Sequence, residues 1–408
     1  MFAFHSTLRG AGSARWVRTL RSGLALGVVS AALIACGGGG GAPVDTPPPV
    51  TTSSFTAGAI SGFGSIIVNG VRFDDSGAEV LDDDGGRHSR DDLKLGAQVE
   101  VEASSIDRSG GHGVATRIRF CSEIVGPVES VDLAAQRLTV LGQAVEVGSR
   151  TVFDDSLPGG LAGIGAGTVL EVHAQFDAAR GVYVATRIED ESHPASYKLR
   201  GPVASLDTTA KTFLLGGAVI DYGSAAEVTA QLANGARVRV QLQTTPVNGQ
   251  WIATQVRSGE RHLEDHSEAE VTGLITAWTS ATQFSVDGLP VDATNATFRE
   301  GQAGVVLGAR VEVEGRVVNG VLVASKVHLE DESDDDHSED YELHGTVSAL
   351  DTSAKTFALR GLTVSYAGSV TWRDMSEASL ADGVTLEVKG HLSADGTRLE
   401  ATRISQED

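Results

Sequence analysis

Apolar and polar residues alternate with a period of two along most of this chain, and the 3.6-residue period of a helix is nearly absent. Val311-Glu312-Val313-Glu314 and Arg237-Val238-Arg239-Val240-Gln241-Leu242 send every second side chain to a dry face. This pattern marks strands with one buried and one wet face. It also repeats. A closing phrase recurs as Ala115-Thr116-Arg117-Ile118, Ala185-Thr186-Arg187-Ile188, Ala253-Thr254-Gln255-Val256, Ala324-Ser325-Lys326-Val327 and Ala401-Thr402-Arg403-Ile404, at spacings of 70, 68, 71 and 77 residues. A glycine opens each copy (Gly58, Gly126, Gly201, Gly273, Gly345). A second follows a short strand pattern (Gly70, Gly142, Gly216, Gly288, Gly361), and a third precedes the alternating strand (Gly96, Gly167, Gly235, Gly308, Gly383). Five copies in common register indicate a tandem array.

Each copy reads as five strands with one helical turn before the third glycine, clearest at Ser376-Glu377-Ala378-Ser379-Leu380. The first strand is irregular. Val203 and Leu206, like Val347 and Leu350, are three apart, which predicts a bulge or bend. Asp207-Thr208-Thr209-Ala210-Lys211 and Asp351-Thr352-Ser353-Ala354-Lys355 predict hairpin loops closed by the Asp side chain. The expected fold is all-β: a tandem array of five small OB-like five-stranded barrels, covering residues 55–121, 122–190, 197–258, 269–329 and 341–405. An open sheet or sandwich stacked on its neighbours is the alternative. Closure is preferred because it removes edges in a unit of this size.

Composition adds an address. Residues 1–35 carry Arg9, Arg15, Arg18 and Arg21 and no acid, then a 13-residue apolar run too short to span a bilayer. Leu33-Ile34-Ala35-Cys36 fits a lipobox, so residues 1–35 are expected to be a lipoprotein signal peptide and Cys36 the lipidated residue, bearing diacylglycerol and an amide-linked acyl chain such as palmitate. Residues 36–54, with five consecutive glycines and four prolines, form a flexible tether of roughly 25 Å root-mean-square span. The expected location is the outer membrane, on its periplasmic or outer side, with the membrane contacted only through the lipid anchor. With Cys36 acylated, Cys121 stands alone and is expected to be a small buried apolar residue. The whole chain carries a formal charge of −22, and residues 36–408 hold 28 of the 32 basic residues against all 54 acids. That balance excludes the basic footprint of a nucleic-acid binder.

In copy one, Gly62-Phe63-Gly64-Ser65-Ile66-Ile67-Val68-Asn69-Gly70-Val71-Arg72-Phe73 resembles the signature of domain-of-unknown-function family 5666, found in proteobacterial envelope lipoproteins. The other copies share the layout without the G-x-G-S opening. The resemblance implies a β-rich OB-like module of the cell envelope and no reaction.

Candidate chemistry is sparse. No nucleophile elbow, phosphate-binding glycine loop or H-E-x-x-H occurs, so no catalytic residue, cofactor or enzyme activity is expected. Acid-rich segments join the copies. Their candidate ligands for weak divalent binding are Asp334, Asp335, Asp336, His337, His262 and His266. The competing reading is a solvated, self-repelling spacer that holds copies four and five apart and yields to proteases, as would residues 189–196 and 258–268. Asp82-Asp83-Asp84-Gly85-Gly86 resembles a calcium loop, but its spacing fails and a mobile loop is expected. The Arg or Lys of the closing phrase reads as a solvated cation or as a groove for an anion. Two function classes remain. The first is a non-catalytic envelope scaffold binding a protein, peptide or glycan. The second is a cation-responsive protein acting through its acidic linkers.

Overall fold

The computed structural model describes residues 53–107, 111–261, 263–330 and 341–406. In copy one, Ser54–Phe63 pairs antiparallel with Ile66–Val68, which pairs antiparallel with Val71–Asp74. Val71–Asp74 runs parallel to His112–Phe120. That strand pairs with Gln98–Asp107, which returns to the first strand. The order one-two-three-five-four-one closes a barrel. The same circuit closes in copy two, copy three, copy four and copy five. These are five OB-like barrels.

Local chemistry explains the repeated landmarks. The first strand bends where the pattern slips: Ser205 and Ala349 take φ 50° and 51°, and the register shifts beside them. Asp207 Oδ1 accepts from the N–H of Thr209 and Ala210, and Asp351 Oδ1 does the same for Ser353 and Ala354. The hydroxyl of the closing phrase donates to a strand-four carbonyl: Thr116 to Glu102, Thr186 to His173, Thr254 to Gln241, Ser325 to Glu314 and Thr402 to Lys389. In every copy that carbonyl lies next to a shift in register between strands four and five. The phrase therefore repeats because it pins one bulge per barrel.

Two details differ from the sequence expectation. The expected helical turn is a short 3₁₀ turn at Arg90–Asp92, Gly160–Gly163 and Glu377–Ser379, and copies three and four have none among the described residues. Each copy also carries an extra short strand segment parallel to the second half of strand five: Glu79–Asp82, the end of Gln143–Phe153, Glu227–Val228, Thr297–Phe298 and Thr371–Arg373. Strand three covers only the first half of strand five. The extra segment takes the remaining edge, which would otherwise stay open.

The barrels form one body rather than beads on a string. Strand one of copy one pairs in parallel with copy four at one end, Ser54–Ala57 against Glu268–Val271, and with copy five at the other, Gly62 and Phe63 against Glu342 and Leu343. Copies two and three join through Ile124 and Val125 against Leu199 and Lys198. Copy two also meets copy five, where Phe153 N–H donates to Gly396 at 3.0 Å, and copy four, where Arg310 donates to Gln175 Oε1 at 2.6 Å. The apolar cores merge accordingly: copies one and five share one, copies two and three another, and Phe55 and Ala57 of copy one complete that of copy four.

Gly62 shows how close the barrels come. A Cβ there would strike the carbonyl oxygen of Glu342. Because copies four and five both dock on one strand of copy one, their spacing is not set by the acidic run between them, and residues 331–340 themselves lie outside the described residues. Among the described residues no helix is long and apolar enough to cross a membrane.

Candidate functional site

Where copies one, two, three and four meet, the polar faces of the strands turn inward onto each other. Glu123 precedes the first strand of copy two and is buried. Its Oε1 accepts from Arg200 Nη1 at 3.0 Å and its Oε2 from Arg237 Nη2 at 2.9 Å, both arginines belonging to copy three. Burial alone would raise the Glu123 carboxyl, but Arg200, Arg237 and Arg261 overcome it and hold it below the usual carboxylate range. The backbone follows the same path, with Arg200 N–H donating to the Glu123 carbonyl at 2.9 Å. Tyr183 donates its hydroxyl to the Arg200 carbonyl, and burial pushes that phenol up. Arg237 also lies over the Phe176 ring, 5.7 Å from its centre.

The acidic loop of copy one enters this junction. Asp83 Oδ2 lies 2.8 Å from both Arg200 Nη2 and Arg239 Nη1. Asp84 lies 2.8 Å from Arg239 Nη2 and 3.0 Å from Lys198 Nζ. Burial opposes the Asp84 charge, but Lys198 and Arg239 hold its carboxyl below the usual range. The loop expected to be mobile is thus docked, because three cations of copy three already neutralise its carboxylates. Within the loop, Asp82 Oδ1 accepts from the N–H of Asp84 and Gly86, which folds the acids into a tight turn.

Beside this contact lies a polar cavity of about 410 Å³, walled by copy one (Asp83, Glu100, Arg119), copy three (Arg239, Arg257) and the segment leaving copy three (Arg261). That segment was expected to be an exposed, protease-sensitive linker. Instead Gly259 is buried against the Val238 backbone, Leu263 is 7% exposed and the Arg261 side chain 10%. Cys121 lines the same cavity. Burial, then the nearby Glu100 and Asp83 charges, push its thiol up to about 12, so it is an inert core group.

Of the residues singled out from sequence, Cys36, His262, Asp334, Asp335, Asp336 and His337 lie outside the described residues. His266 is described. It is 9% exposed, stacks 5.6 Å from Phe55, and burial lowers its pKa. Among the described residues it joins no group of metal ligands; the one such group is Glu342, His344 and Glu387. Those acids already have cations: Lys389 lies 2.8 Å from Glu342, Arg72 also pairs with Glu342, and Arg403 lies 3.8 Å from Glu387. The His344 hydrogen bond, followed by Lys389 and Arg72, holds the Glu342 carboxyl well below its usual range despite partial burial. This arrangement is an ion-pair network.

The repeated cation of the closing phrase is likewise paired, Arg117 with Glu102 at 3.0 Å, Lys326 with Glu314 at 3.0 Å, and Arg187 with Asp154 at 2.6 Å. It forms no shared anion groove. Sequence reasoning missed Arg200, Arg237 and Arg239, because strand alternation reads their positions as wet, and Glu123 and Arg261, because they lie between strands where polar residues read as loop. The available signal was four basic residues, Lys198, Arg200, Arg237 and Arg239, on the polar faces of one copy in an acidic chain.

Fold and junction together define a tandem-barrel β protein whose modules are bonded into one body. The chain belongs to the family described as domain of unknown function (DUF5666), which matches it over residues 56–119, 125–189, 200–257, 272–328 and 344–405. Among solved structures it is similar to Drosophila Unr CSD456 at 12% identity, over 52% of this chain and 98% of that one, with a TM-score of 0.14. The barrel assignment rests on the strand pairings alone. No curated protein matches the chain.

Proposed function

We propose that this protein is a non-catalytic scaffold of the cell envelope, tethered at the outer membrane through lipid on Cys36, whose fused barrels hold a protein, peptide or glycan on their outer loops and strand faces. One observation carries the reading. Strand one of copy one is shared between copies four and five, so loops from different copies are presented at fixed spacing. The charged groups of the junction are consistent with a structural role, since the Glu123, Asp83 and Asp84 carboxylates are spent on neighbouring cations. The lipobox supports the tether. The cation-responsive alternative would act through the acidic linkers, whose candidate ligands Asp334, Asp335, Asp336, His337 and His262 lie outside the described residues.

Two measurements test the proposal. Cys36→Ala should release the protein from detergent-phase partitioning; unchanged partitioning would refute the anchor. Crosslinking of the lipidated protein in its own envelope should give one discrete adduct that is lost when the outer loops are substituted. An adduct insensitive to every loop would refute presentation by the barrels.

A further inference from the structure

We propose that the cavity between copies one and three binds a small oxyanion, a carboxylate or a phosphate, with Arg261 as its buried anchor and Arg119 and Arg257 at its mouth. The cavity, at about 410 Å³, has the size of a small-molecule site. Its wall is unusual for this chain: five arginines line it in a protein of charge −22.

The neighbouring carboxylates are shared out. Asp83 serves Arg200 and Arg239, and Asp84 serves Arg239 and Lys198. Glu123 serves Arg200 and Arg237. Glu100 serves both Arg119 at 3.1 Å and Arg261 at 3.3 Å. Four carboxylates thus face six cations, and a seventh cation, Arg257 at the cavity wall, is paired with Glu227. Two further acids adjoin the cluster: Asp287, buried near Arg261, whose carboxyl burial pushes up, and Glu260, exposed at the cavity wall.

Arg261 is the least satisfied of the cations. Its side chain is nine-tenths buried, and its Nε lies 3.3 Å from Glu100 Oε1 without the geometry of a hydrogen bond, whereas Arg200 and Arg237 donate through their Nη atoms. A buried guanidinium whose nearest carboxylate is shared with a second arginine is costly unless another anion completes its fork. Arg119 and Arg257, with side chains 34% and 35% exposed, keep the cavity open to solvent; Arg257 donates through Nε and Nη2 to Glu227, so an incoming anion would draw on its remaining Nη1.

The experiment is titration calorimetry on the purified full-length protein with inorganic phosphate and, separately, with succinate, ionic strength being held constant with sodium chloride. Saturable one-to-one binding of either anion is expected. Binding of phosphate alone would indicate a phosphoryl ligand and of succinate alone a carboxylate. Arg261→Gln should weaken binding roughly ten- to a hundredfold, the range for a hydrogen bond to a charged group. Arg257→Gln should weaken it severalfold with the buried junction intact, and decides the matter if Arg261→Gln does not fold. No saturable heat with either anion, or equal affinities in wild type and both variants, would overturn the proposal.

Discussion

Replacing Glu123 with glutamine keeps the shape of the junction and removes its central charge. The amide leaves Arg237 without a carboxylate partner, while Arg200 keeps Asp83 at 2.8 Å. Glu123 is buried and both arginine side chains are 9% exposed, so solvent offers little relief. Breaking a buried pair in this way costs about 3–5 kcal/mol. Urea titration at neutral pH should show that loss.

The pH dependence supplies an internal control. Because the arginines hold the folded carboxyl below its usual value, the charge of Glu123 stabilises the wild type fully above the unfolded pKa. That contribution fades as pH falls through the depressed folded pKa. The gap between wild type and Glu123→Gln should therefore close on acidification. A loss below about 1 kcal/mol at neutral pH would mean the junction is hydrated, and a gap that widens in acid would contradict the sign of the argument.

Other changes probe separate contacts. Asp83→Asn should loosen the docked loop, raising amide hydrogen exchange across residues 82–88 and costing about 1–3 kcal/mol, since Asp84 and Glu123 still serve its arginines. Gly62→Val drives a side chain into the Glu342 carbonyl, so it should cost about 1–3 kcal/mol by overpacking and speed cleavage within residues 331–340. Cys121 should not react with a disulfide reagent at pH 8 until the protein is unfolded, and prompt native-state reaction would contradict its burial.

What the sequence made legible was local. The bend at Ser205 shows in the three-residue gap from Val203 to Leu206, and the hairpin at Asp207 in the polar side chain that closes it. Both depend on neighbours a few residues away. The assembly did not show, because its bonds are distant: Glu123 reaches 77 residues to Arg200 and 114 to Arg237. Alternation distinguishes an inward from an outward side chain, but an outward one that meets another barrel looks the same as one that meets water. Arg200 and Arg237 therefore read as solvated. Residues 258–268 read as a linker from the acids Glu264, Asp265 and Glu268, and only the packed structure shows Arg261 and Leu263 turned inward.

The strand that joins copies one, four and five also sets a clock. Ser53 and Ser267, which hydrogen-bond at 3.0 Å beside that pairing, are 214 residues apart in the chain. The first barrel can close once Phe120 has emerged, long before the partner strand that begins at His266 does. Throughout that interval Ser54–Ala57 presents an unpaired edge flanked by Phe55, the kind of surface that captures other chains. A nascent chain built this way needs protection early in its life, and the later copies complete the first one rather than simply lengthening the array.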